Sequence, residues 1–229
     1  MTTGNYFSIT PSIEDALSYG WKKIGEQFLP LLAVTIILAF LHGPASFTYK
    51  EDSFQFWHLA ILPIFMAYGF LFWPVIDFGG DFLFLRAIRN EKIEIVELFD
   101  GFKKKYLNIV LANLITVALV IMGFILLVIP GIIVLCRLVF VSYLVMDKGL
   151  EPIRAIEESW RMTRGHGWTI FGLAIISFFV FIAGLILLFV GVFVSLMLIH
   201  ASFAALYQAI LNQQEGSGYF PIIETTITE

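Results

Sequence analysis

The sequence predicts an all-α membrane protein, with six transmembrane helices and three amphipathic helices lying in the cytoplasmic interface. Three observations carry this expectation. Of 229 residues, 59% are hydrophobic and only 14% charged, which is more apolar surface than a soluble domain of this length can bury. Several uninterrupted apolar runs reach the roughly 20 residues needed to cross a bilayer, and the run from Trp168 to Leu211 contains no Asp, Glu, Lys or Arg. The runs are continuous rather than alternating, so they do not suit a β-barrel. Finally, charged segments with one apolar stripe pass straight into apolar runs, as helices at headgroup depth do when they turn into spans.

The first such segment opens at Thr10-Pro11-Ser12, where Ser12 and Asp15 fit a capping box. Ile13, Ala16 or Leu17, Trp21, Ile24 and Phe28 line one side, against Glu14, Asp15, Ser18, Lys22, Lys23, Glu26 and Gln27. Nothing before it has the basic flank and cleavage site of a signal peptide, so the first span is expected to act as an uncleaved insertion signal. That span, about 28–43, is short and is expected to begin partly in the preceding helix; His42-Gly43-Pro44 ends it. A polar loop follows, and Trp57 opens a second span, 57–86. At about 1.5 Å per residue its 30 or so residues exceed the hydrocarbon core. It is therefore expected to tilt, or to break at Pro63, Pro74 or Gly79-Gly80.

The stretch from Arg86 to Lys105 is the most charged, with Val96, Phe99 and Phe102 on one face. Spans three and four, 106–128 and 130–147, meet at a turn formed by Pro130-Gly131. The next segment, from Glu151, sets Ile153, Ile156, Trp160 and Thr163 against Arg154, Glu157, Glu158, Arg161 and Arg164. Proline at its first turn costs no hydrogen bond, and Gly165 and Gly167 release the helix. The apolar run from Trp168 must fold back once; Gly184 and Gly191 are the candidate turns, and Gly191 divides it more evenly into spans 168–189 and 191–212. Residues 1–212 thus form one integral membrane domain, and 213–229 a flexible acidic tail.

Ala16, Trp21 and Lys22 recur at the same spacing as Ala155, Trp160 and Arg161, with Leu98-Phe99 and Phe102-Lys103 as a degenerate third copy. This suggests three helix-plus-hairpin repeats, 13–88, 93–148 and 152–212; interfacial helices also look alike by composition alone. Orientation follows from the basic residues. Twelve of the 14 Lys and Arg residues precede span one or lie between spans two and three or four and five. Both termini are therefore expected in the cytoplasm, with the chain multi-pass in the cell membrane.

Five pieces, in order, carry a family likeness: IEDALSYGWKK, ELFDGFKKKY, IPGIIVLCRL, AIEESWRMTRGHGW and AALYQAIL. Together they resemble the membrane domain of glycerophosphoryl diester phosphodiesterases and the related six-span bacterial proteins of the YciC type. The resemblance implies a bacterial inner-membrane protein. It departs from the family where a proline is usual in the last span, around Leu196 to Ala201. Nothing resembles the phosphodiesterase barrel fused to some relatives, so that activity does not transfer.

No catalytic constellation is legible. His42, His58, His166 and His200 lack a metal-ligand spacing, and Arg164-Gly165-His166-Gly167 reads as a helix stop and hinge. No metal, cofactor or nucleic acid is expected. The unusual residues are polar ones inside spans: Asp77, Asp81, Asn113, Arg137 and His200. Such residues mark either structural pairs between helices or a function. Counting residues from the cytoplasmic ends puts Asp77, Asn113, Arg137 and His200 at similar depth, and Asp77 is expected to pair with Arg137, with Asn113 and His200 as further candidate partners. Lys22, Lys23, Lys103, Lys104, Lys105, Arg154, Arg161 and Arg164 are candidates for lipid headgroups, and the partners expected are membrane lipids, anionic ones among them. These features predict a non-enzymatic protein that organises or senses the bilayer; the alternative is a small transporter or channel using the intramembrane polar layer.

Overall fold

A computed structural model describes residues 10–41 and 57–216, and the side chains of 57–68, 104, 188, 189, 215 and 216 are outside that description. The loop joining the first two apolar runs and the tail beyond residue 216 are therefore not covered. The described chain is helical, without strand: α1 (Ile13–Glu26), α2 (Phe28–Leu41), α3 (Trp57–Ile88), a 3-10 turn (Ile95–Phe99), α4 (Asp100–Lys104), α5 (Tyr106–Leu126), α6 (Val128–Leu138), α7 (Val141–Asp147), α8 (Pro152–Met162), α9 (Gly167–Ile186) and α10 (Leu188–Gly216). Four of these are long and apolar enough to cross a membrane: α5, α6 with α7 as one, α9 and α10. The pair α1 and α2 makes a fifth if two helices bent by 103° count as one. This is a multi-pass membrane protein.

The start of α1 follows from its sequence. Ser12 Oγ accepts the Asp15 backbone N–H at 3.1 Å, Glu14 and Asp15 occupy the positive first turn, and Lys23 the negative last turn. The break at Gln27 was not legible: α1 turns away sharply there, so the short first run gains no length from it. Alone, α2 has 14 residues, or about 21 Å. By contrast α3 runs unbroken through Pro63, Pro74, Gly79 and Gly80. The reason is visible at Gly79, where a Cβ would lie 2.2 Å from the Leu98 carbonyl oxygen. The glycine lets another segment touch the helix; it does not break it.

The remaining turns also shift from their expected places. Pro130 and Gly131 lie in the first turn of α6 and the chain reverses at Leu127, because proline suits a helix start. The long apolar run reverses at Leu187, between the two candidate glycines. Cβ atoms at Gly184 and Gly191 would sit 2.7 and 2.5 Å from each other's carbonyl oxygens, so these residues bring the two helices into contact beside the turn. The fourth run divides into α6 and α7 at Val139–Phe140. Finally, α10 continues to Gly216, making the first residues of the expected tail helical.

The centre of the protein is α3, α7 and α10. Leu83, Phe84 and Leu85 from α3, Val141 to Val145 less Ser142 from α7, and Ala201, Ala204, Ala205 and Tyr207 from α10 are buried there. The small residues Ala201, Ala205 and Ala209 let neighbouring helices approach α10 closely. Around this centre α1 packs on α10, the 3-10 turn and α4 on α3, and α8 on α5, α6 and α7.

The packed faces differ from the apolar stripes read in the sequence. In α8 the buried residues are Ala155, Ser159 and Met162, whereas Ile153 is 64% and Trp160 36% exposed. In α1 they are Ala16, Gly20, Lys23 and Ile24, so Ala16 and Ile24 of the expected stripe are packed while Trp21 is 58% exposed. Each helix thus has three faces: a small-residue face against protein, an apolar edge left open, and a charged face. The third expected helix is instead a 3-10 turn and a five-residue helix, in which Leu98 is buried while Val96 and Phe99 are exposed.

Candidate functional site

Two groups of residues stand out, a polar column in the central three helices and a basic rim around their charged end. The column begins at Asp81, one residue past Gly79-Gly80 on α3. Ser142 Oγ on α7 donates to Asp81 Oδ2 at 2.7 Å, and His200 Nδ1 on α10 lies 3.1 Å from Oδ1. The His200 ring stacks on Phe84, centroids 5.2 Å apart. One carboxylate therefore ties all three helices together.

About two turns nearer the charged end lies a second layer. Arg89 donates Nη1 and Nη2 to Asp147 Oδ1 and Oδ2 at 2.5 and 2.8 Å, and Nε to Gln208 Oε1 at 2.7 Å. Tyr207 O–H donates to Asp147 Oδ2 at 3.1 Å and stacks on Tyr143, and Gln208 Nε2 donates to Asn212 Oδ1 at 2.6 Å. Asp147 is the last residue of α7, and Lys105 Nζ caps the same helix end through the Val145 and Met146 carbonyls at 3.3 and 2.7 Å. Burial pushes the Lys105 ammonium down from the ordinary lysine value, and Asp147 partly offsets this.

Of the expected intramembrane residues, the structure brings together only Asp81 and His200. The pairing of Asp77 with Arg137 does not form. Asp77 lies on an exposed side of α3, and the Arg137 guanidinium lies over the Trp160 ring, 5.9 Å from its centroid. Depth was estimated from residue counts, but rotation about the helix axis decides which side chains meet. Asn113 is half-buried on α5. Ser142, Arg89, Asp147, Tyr207 and Gln208 were missed, since partners 58 to 119 residues apart leave no local spacing to read.

Two of the headgroup candidates are corrected. Lys23 is 3% exposed, and its ammonium donates to Glu26 and Asn90. Lys105 is committed to the α7 cap. Arg161 is bound to Glu158 at 2.7 Å, while Lys22, Lys103, Arg154 and Arg164 are exposed; the Lys104 side chain lies outside the described residues. Burial pushes the His166 imidazole down from its ordinary value. A shallow groove of ≈ 780 Å³ opens beside the α1–α2 bend, between Glu26–Pro30 and Asn90–Ile93.

The column has serine, aspartate and histidine, but in an order that does not make a nucleophile. The carboxylate stands between the other two, so the imidazole does not face the serine proton as a general base must. The arrangement suits holding helices together, or holding a proton or small cation between them. No group of three metal-ligating side chains occurs among the described residues.

Residues 95–217, more than half of the chain, match the domain of unknown function DUF7847, and the chain belongs to that family. Neither a curated protein nor a solved structure matches it.

Proposed function

We propose that this family member is a non-enzymatic protein of the bacterial inner membrane that associates with lipid at the cytoplasmic face and organises or senses the bilayer there. The observation that carries the reading is the three-faced form of α1 and α8. Each packs small residues against the bundle and leaves a tryptophan and an exposed cation outward, Trp21 with Lys22 and Trp160 with Arg154. Indole rings settle at the headgroup boundary and lysine or arginine next to them attracts anionic lipid. The proposal includes six spans, both termini inside, and three units related to YciC-type membrane domains. In its support, each short segment packs on the last helix of the unit before it: α4 on α3, α8 on α7, and α1 on α10 to close the ring. The DUF7847 match covers the second and third units.

A second reading, transport of a proton or small cation, is favoured by the Asp81–Ser142–His200 cluster. Proteoliposomes separate the two. Vesicles holding the protein are expected to keep an imposed pH gradient as long as protein-free vesicles do, with valinomycin and potassium present to release any membrane potential. Collapse of the gradient that is abolished by Asp81→Asn would replace the first reading with the second.

A further inference from the structure

We propose that Arg137, backed by Trp160, is a binding site for the phosphate of one membrane phospholipid. This rests on the lipid-associated reading above and gives it a specific contact. Arg137 lies ten residues before Asp147, which by count is about 15 Å into the bilayer. The structure changes that estimate. Ser159 Oγ donates to the Arg137 carbonyl at 2.8 Å and Thr163 Oγ at 3.4 Å, so the end of α8 lies directly against residue 137. Four residues after Thr163 the chain begins α9, and Trp168 there is 86% exposed, as an interfacial indole would be. The α8 end and α9 both pack on α6, so Arg137 lies beside the α8–α9 junction, which the exposed Trp168 marks as the interfacial end of α9.

The guanidinium has no carboxylate partner among the described residues, and Nη1 is buried without an acceptor. The two acids of α8 pair within their own helix: Glu158 with Arg161 at 2.7 Å and Glu157 with Arg154 at 3.9 Å. An aromatic face recovers only part of what a buried cation loses on leaving water. An anion from outside the described chain would complete the site. At this depth the abundant one is the phosphodiester, whose oxygens match the planar fork of arginine. At the α8–α9 junction Arg164 is exposed, and nothing lies within 4 Å of a Cβ position at Gly165 or Gly167.

Native mass spectrometry of the full chain in mild detergent tests this. The probes are phosphatidylglycerol, the diacylglycerol with the same chains, and inorganic phosphate. The wild type is expected to retain one phosphatidylglycerol more than Arg137→Gln, with at least about a tenfold difference in affinity, equivalent to roughly 1.4 kcal/mol. Arg137→Lys is expected to fall between them, because a point charge lacks the bidentate fork. Diacylglycerol and inorganic phosphate should not be retained. Equal phosphatidylglycerol binding by the wild type and Arg137→Gln would overturn the site. Displacement of the lipid by inorganic phosphate would make it a site for a soluble anion instead. Should Arg137→Gln fail to fold, unchanged affinity in both Arg137→Lys and Trp160→Leu would also overturn it. Arg137-dependent lipid binding alongside a collapsing pH gradient would remove the organising role and leave the site standing; equal binding with a stable gradient would do the reverse.

Discussion

Arg89→Ala is expected to destabilise the protein by about 3–5 kcal/mol, because removing one partner of a largely buried ion pair leaves the other charge uncompensated. The Asp147 side chain is only 9% exposed, and Arg89 supplies two of its hydrogen bonds while also holding Gln208 of α10. One truncation therefore loosens the contact among α3, α7 and α10 at their charged end. The double variant Arg89→Met with Asp147→Asn is expected to recover most of the loss. It removes both charges yet keeps an amide oxygen to accept the Tyr207 hydroxyl. The unfolding midpoint in a fixed detergent reads both. If Arg89→Ala shifts it no more than an exposed substitution such as Arg154→Ala, the second polar layer does not hold the bundle together.

The other large effect is expected at Gly79. A Cβ there would lie 2.2 Å from the Leu98 oxygen and 3.0 Å from its carbonyl carbon. Both are backbone atoms, so no side chain can swing away, and α3 must separate from the 3-10 turn. Gly79→Ala should cost about 1–3 kcal/mol or more, as overpacking does. Gly25→Ala is the contrast. That helical glycine has nothing within 4 Å of its Cβ position, so alanine should stabilise by about 0.5–1 kcal/mol through backbone entropy. Equal effects at the two positions would mean that helix propensity, and not close approach, decides the outcome.

These two positions also show what was legible in the sequence. Apolar run length located the long helices, and Ser12 with Asp15 located the start of α1. What run length cannot give is rotation about the helix axis. Asp77 and Asp81 are four residues apart, yet only Asp81 reaches Ser142 and His200. Lys22 and Lys23 are neighbours, and a turn of about 100° sends one outward and the other to Asn90. Hydrophobic stripes failed for a related reason. In a helix packed closely on another, the buried face is made of small residues such as Ala155 and Ser159, which a search for large apolar side chains passes over. Glycines were read as breaks because a sequence does not show what lies opposite them. The Arg89–Asp147 pair was hidden by its distance along the chain.

The central claim is that the tryptophans of α1 and α8 sit in the headgroup region while their small-residue faces hold the bundle. The most direct measurement is fluorescence quenching of two variants, each keeping only Trp21 or Trp160, reconstituted in vesicles with lipids brominated at different depths along the acyl chain. Both indoles should be quenched most by bromines nearest the headgroup, less by deeper ones, and little by iodide in the water. Strong iodide quenching without bromine quenching would place both helices in a layer projecting into solution, and would contradict the claim.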